Sequence, residues 1–97
     1  MKIITQEFEA LFKKYPLYTQ DWVKNPIVIA KLFVWNITWY LTEYDKETKA
    51  AFWYVTWMGW DEFGYIHIQE LEEVRINNIW EVEGDLYFTS TPLKDLI

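Results

Sequence analysis

The chain has 97 residues, 52% of them hydrophobic and 25% charged, with three Gly, three Pro and no Cys. This length fits one domain with one core, and the composition excludes a disordered or low-complexity chain. The absence of Cys excludes a disulfide scaffold, a thiolate metal site and a cysteine nucleophile, while the net charge of −6 sets a general bias against polyanions.

The charge is unevenly placed. Residues 1–60 carry seven Lys and six acids, whereas residues 61–97 carry nine acids against Arg75 and Lys94. Aromatic residues reach 21%, with seven Trp, seven Tyr and six Phe. The near-apolar run 26–35 is too short to span a bilayer and contains Lys31. Met1-Lys2-Ile3-Ile4-Thr5 leads into a charged segment rather than a signal-peptide core. The expectation is a soluble cytoplasmic protein with no membrane contact.

In chain order, the first predicted element is a short helix. Thr5 can cap it, Glu7 and Glu9 suit its positive end, and Lys13 and Lys14 suit its negative end. Phe8, Leu11, Phe12 and Tyr15 form its apolar stripe, and Pro16 stops it. A loop over 17–25 carries Tyr18, Asp21 and Trp22. Three strands are predicted at 27–35, 38–44 and 50–57, joined by Asn36-Ile37 and by the charged turn 45–49. These connections are too short for crossovers, so the strands are antiparallel neighbours. Residues 58–64 read as a loop and 65–68 as a fourth strand. A helix over 69–76 turns Leu71 and Val74 inward and Glu70, Glu72 and Glu73 outward, and Asn77-Asn78 ends it. Residues 79–82 alternate as a half-buried strand, Gly84-Asp85 turns, and 86–88 is a last short strand. Thr91-Pro92 signals a helix start, with Leu93, Leu96 and Ile97 tucked onto the core.

The predicted fold is α+β: a curled antiparallel sheet of four to six strands with an N-terminal helix and a short helix near 69–76. Both faces of the strand at 27–35 are largely apolar, with Val28, Ala30, Leu32 and Val34 on one and Ile27, Ile29, Lys31, Phe33 and Trp35 on the other. In the strand at 50–57, Phe52 and Tyr54 oppose Ala51, Trp53, Val55 and Trp57. Either the sheet curls around its aromatics, or one aromatic face stays open for a partner.

Several stretches recur together in an order that resembles a known family. They are Tyr15-Pro16-Leu17-Tyr18-Thr19-Gln20-Asp21; Pro26-Ile27-Val28 with Lys31 and Phe33; and Thr38-Trp39-Tyr40 with Thr42-Glu43. Glu62-Phe63-Gly64-Tyr65, Glu70-Leu71-Glu72 with Val74-Arg75, and Glu83-Gly84-Asp85-Leu86-Tyr87-Phe88 complete the set. The pattern resembles the domain-of-unknown-function family 2958, small proteins carried on plasmids, phages and conjugative elements. The resemblance implies a mobile-element accessory protein and supplies no catalytic residues. Counter-defence is the role such a gene setting suggests.

The sequence offers little for catalysis. Ser90 and His67 are the only residues of their types, and Ser90 sits in a Thr-Ser-Thr-Pro capping sequence. His67 lies between Ile66 and Ile68 and reads as a structural or solvent-facing side chain. A metal site lacks nitrogen and sulfur ligands, and Asp61, Glu62, Glu83 and Asp85 match no calcium-loop spacing. Gly59, Gly64 and Gly84 stand alone, so there is no phosphate loop. The chain is expected to need no cofactor and no metal.

Trp35, Trp39, Trp53 and Trp57 could stack bases. The negative charge argues against direct nucleic-acid binding, because phosphates are held by Lys and Arg. The basic residues Lys13, Lys14, Lys24 and Lys31 could form no more than a local patch. Glu70, Glu72, Glu73, Glu81, Glu83 and Asp85 instead suit a basic protein or nucleoprotein partner. Trp60, Phe63, Tyr65 and Trp80 are the candidate aromatic anchors near these acids, and Asp61 and Glu62, between Trp60 and Phe63, belong to the same predicted surface.

The leading expectation is a non-enzymatic acidic binding protein of a mobile element, an inhibitor of a host defence nuclease or another basic complex, of the anti-CRISPR or anti-restriction type. Reversing Glu70, Glu72 and Glu73 to Lys is expected to abolish partner binding and leave the fold intact. The alternative is a small-ligand or nucleotide-binding module using an aromatic pocket. A homodimer is compatible with either.

Overall fold

The computed structural model describes residues 6–20, 23–76, 80–85 and 87–97, with backbone alone at 6–7 and 75–76. The Thr5 cap, Asp21 and Trp22, the Asn77-Asn78 stop and Leu86 lie outside the described residues.

The protein is α+β. Helix α1 spans Gln6–Phe12 and is followed by strands β1 (Ile27–Val28), β2 (Ala30–Val34), β3 (Ile37–Tyr44), β4 (Ala50–Trp57) and β5 (Trp60–His67). Helix α2 (Ile68–Glu72) leads into β6 (Arg75–Ile76), β7 (Trp80–Glu81), β8 (Glu83–Gly84) and β9 (Thr91–Pro92), and a 3₁₀ turn covers Leu93–Asp95. The main sheet has the order β5-β4-β3-β2-β8, with every pairing antiparallel. Its two end strands do not pair with each other, so the sheet is curled but not closed. Pairs β1-β9 and β6-β7 are separate two-stranded ribbons.

The residues explain these elements. A seven-residue helix is too short to persist on its own propensity. Helix α1 is held by burial of Phe8 and Phe12, which contributes about 1.5–3 kcal/mol per side chain. Phe12 packs on Tyr44 with ring centroids 5.5 Å apart. Leu11, expected in the stripe, is half exposed, because the stripe narrows to the residues four apart.

Strand β4 alternates as expected: Ala51, Trp53 and Val55 belong to or pack on the helix-side core, and Tyr54 belongs to a second cluster on the opposite face. The predicted strand at 27–35 is broken at Ile29. The amides of Ile29 and the register position of Ala30 both fall opposite Leu41. Val28 therefore joins the opposite-face cluster, while Ile29, Ala30, Leu32 and Val34 join the helix side. Such a slip by one residue exchanges the faces of a strand.

A matching irregularity interrupts β3 between Leu41 and Glu43. It places Glu43 opposite Phe52 and Tyr44 opposite Ala51. The predicted loop 58–64 is mostly strand, because the β4–β5 connection needs only Met58 and Gly59, with φ of 48° and 85°. Two successive left-handed residues make the tight hairpin whose twist matches that of the strands.

The helix near 69–76 is shorter than expected, running from Ile68 to Glu72 and giving way to strand at Arg75. It buries Ile68 and Leu71, and Val74 packs against the same core from beyond the helix end. Tyr87 and Phe88 of the predicted strand at 86–88 are not strand; instead β8, formed by Glu83 and by Gly84 of the expected Gly84-Asp85 turn, pairs with Phe33 and Leu32. Thr91-Pro92 pairs with Val28 and Ile27 as β9 before the 3₁₀ turn begins. Leu93 is buried beside Val28, Tyr40 and Tyr54, with Phe88 and Leu96 packed on them.

Candidate functional site: the two sides of strand β5

Strand β5 is the outermost strand of the sheet next to β4, and it distributes the predicted anchors by alternation. Trp60, Glu62 and Gly64 share the helix side of the sheet with Trp57, Val55 and Trp53, their register partners. Asp61, Phe63 and Tyr65 share the opposite side with Thr56, Tyr54 and Phe52.

On the helix side, neither helix reaches this end of the sheet. A hollow of about 380 Å³ remains, lined by Ile37, Trp39, Trp53, Val55, Trp57, Trp60, Asp61 and Glu62. Trp39 is buried, and Trp57 and Trp60 are exposed, Trp60 at 76%. Trp53 lies across Gly64, where an added Cβ would stand 2.9 Å from Cζ2 of the indole. Gly64 thus leaves the space in which the ring lies flat. Among the described residues, the buried indole N–H of Trp53 has no hydrogen-bond acceptor.

On the opposite side the rings form a connected series. Tyr40 stacks on Tyr54 at 6.4 Å, Tyr54 meets Phe63 at 4.8 Å, Phe63 stacks on Phe52 at 5.8 Å, and Phe52 meets Tyr65 at 4.7 Å. Tyr18 closes the series on Tyr65 at 5.7 Å. The buried end lies under Leu93, and the exposed end is Phe63, Tyr65 and Tyr18. The Tyr54 hydroxyl donates to the Asp61 carboxylate at 2.7 Å. Burial, and secondarily that carboxylate, push the Tyr54 phenol up to about 12.

Beside this series lies a buried polar knot. Glu43 is fully buried and Gln20 nearly so. The Tyr18 amide donates to one Glu43 carboxylate oxygen at 2.6 Å, and the Gln20 amide donates to the other. The Gln20 side chain donates to the carbonyls of Ile27 and Thr42 and accepts from the Ile27 amide. These bonds fix the loop that presents Tyr18, whose φ of 72° is left-handed.

The remaining predicted residues do not converge on β5. Glu70 and Glu73 are exposed at α2, just past the end of β5. Glu72 lies close enough to Tyr44 to contribute, behind burial and Glu9, to raising that phenol. Glu83 and Asp85 lie at the other edge of the sheet, on and just after the strand at the far end of the order from β5. Trp80 packs edge-on against Trp35 at 6.4 Å, and Glu81 lines a shallow pocket with Trp80, Trp35 and Glu83. The sixteen-residue acidic run therefore forms separate groups.

Trp39, Trp53 and Trp57 were not among the predicted anchors. Their signal was present: Trp53, Val55 and Trp57 alternate on one face, and a glycine stands opposite Trp53. His67 is exposed, with Nδ1 3.1 Å from the Thr48 carbonyl. Among the described residues no cluster of three His or acidic side chains is placed to hold a metal, and no helix is long and apolar enough to cross a membrane.

This architecture defines a small mixed α+β protein whose curled, open sheet carries aromatic side chains on both faces of one edge. The chain belongs to the DUF2958 family, proteins of unknown function, which it matches over residues 3–95. No curated protein and no solved structure matches it.

Proposed function

We propose that the protein is a non-enzymatic acidic binding protein that docks the β5 edge on a basic protein or nucleoprotein complex in the cytoplasm. The observation that carries this reading is the exposed run on β5, where Trp60, Phe63 and Tyr65 interleave with Asp61 and Glu62. Exposed large aromatics alternating with carboxylates along one edge strand combine the two requirements of such an interface. The rings supply affinity when desolvated, and the charges speed encounter and select a cationic partner. The family resemblance suggests a mobile-element setting, in which the partner is a host defence nuclease or similar complex and the protein is its inhibitor.

The test is affinity capture from host lysate, followed by titration of the purified pair. Two variants are made separately: Asp61→Lys with Glu62→Lys, and Glu70→Lys with Glu72→Lys and Glu73→Lys. One basic partner should be captured by the native protein and lost with the β5 variant. Its association rate should fall at least tenfold between low and physiological salt. Capture that survives reversal at β5, or binding indifferent to salt, refutes the reading.

A further inference from the structure

The tryptophan-lined hollow has an electrostatic character that restricts its occupant. Four indoles line it, and among the described residues none of them contacts another aromatic ring. The rings of the opposite face, by contrast, are engaged with one another. No Lys, Arg or His is among the lining residues, and the two charged ones are both acids. The Asp61 carboxylate is taken up by the Tyr54 hydroxyl. Glu62 remains, exposed, in register with Val55 at the floor, and it has no basic partner among the described residues.

A phosphate-bearing ligand would find no cation here and one carboxylate against it. A neutral planar ligand would leave Glu62 unused. A cation satisfies both features: indole faces attract positive charge more strongly than any other aromatic side chain, and a carboxylate at the rim completes the pairing. Among cations, guanidinium fits best. It is planar and weakly hydrated, stacks on flat rings, and can present two N–H groups to one carboxylate. The flat lie of the Trp53 ring over Gly64 suits stacking from one side, whereas a spherical quaternary ammonium is best held by rings facing one another around it. A hollow of about 380 Å³ accommodates one arginine side chain.

We propose that this hollow is a binding site for an arginine side chain of a polypeptide, stacked on the indoles of Trp53, Trp57 and Trp60 and paired with Glu62. The inference deepens the docking reading and rests on it for the source of the arginine.

The test titrates isotope-labelled protein with the blocked tripeptide acetyl-Gly-Arg-Gly-amide and follows the assigned indole N–H signals. Parallel titrations replace Arg by citrulline, Lys or trimethyl-Lys. The Arg peptide is expected to move the signals of Trp53, Trp57 and Trp60 with millimolar affinity, and the citrulline peptide to leave them in place. Glu62→Gln should weaken the Arg peptide about fivefold, and Trp60→Ala should weaken it at least tenfold. Both positions are exposed, and the amide spectrum verifies that each variant is folded. Equal binding of the citrulline peptide, tighter binding of either ammonium peptide, an unaffected Glu62→Gln variant, or no indole response each overturns the proposal. Loss of the peptide response alongside a basic partner still captured through β5 would sink this site and spare the docking reading. A specific Arg response with no basic partner captured would do the reverse.

Discussion

Glu43 is an acidic side chain without access to solvent, and among the described residues it is held by backbone amides rather than by a cation. Both of its oxygens accept from the 18–20 loop, and Gln20 ties that loop to β1 and β3. The arrangement accounts for two of the sequence stretches that carry the family resemblance, since Tyr18 and Gln20 meet Glu43 directly. From sequence the stretches were visible as a pattern, but their contact was not, because it joins residues more than twenty apart. The irregularity after Leu41 that turns Glu43 to this side leaves no mark in composition or alternation. Glu43→Gln substitutes an amide NH₂ for one acceptor and faces it with an N–H. It is expected to destabilise the protein by about 2–3 kcal/mol, read as a lower urea midpoint with unchanged slope. An unchanged midpoint would show that the knot contributes nothing to stability.

At the scale of elements, β5 was half legible. Two glycines and two acids within 58–64 read as a loop, but the two glycines have different tasks. Gly59 makes the turn, with φ of 85° and open space around it. Gly64 lies within the strand and yields its side-chain volume to Trp53. A glycine that serves a ring on the next strand cannot be told from a turn glycine without the pairing register. Gly64→Ala brings a methyl against the indole, and the indole must move. The expected cost is about 1–3 kcal/mol, with a shift in tryptophan emission and a weaker Arg-peptide response. A variant with native stability and emission would show that the Trp53 ring is not held by this contact. The acidic helix was legible in kind and placement but not in length: only Ile68 and Leu71 are buried by it, and pairing with β7 takes over at Arg75.

For the whole molecule, the α+β class and the antiparallel meander followed from strand-like runs separated by connections too short for crossovers. The open question from sequence was whether the sheet curls around its aromatics or leaves a face open. The structure does some of each, with helices over one face at one end and the C-terminal segment over the other face. The grouping of acids was not legible, because linear proximity on a chain that crosses the sheet does not survive folding.

The opposite-face cluster also predicts an alkaline limit to stability. The Tyr54 phenol is raised to about 12 by burial and by Asp61, and Tyr40 is raised by burial. A raised folded value means that the folded state keeps its proton where the unfolded chain has lost it. The stabilisation is complete below about pH 10 and is lost as pH rises through about 12. Urea midpoints should fall steeply across this interval, and Tyr54→Phe should flatten the fall. An equally steep profile in the variant would assign the loss to other groups.

The β1-β9 ribbon joins Ile27 and Val28 to Pro92 and Thr91, and Leu93 seals the cluster beneath it. On the ribosome, the β2–β5 meander consists of neighbours in sequence and can assemble as it emerges. The ribbon cannot close until residues 91–93 have been synthesised. Until then the tyrosines of the opposite face have no cover, so the newborn chain passes through a stage with more of its aromatic sheet bare than the finished protein ever shows.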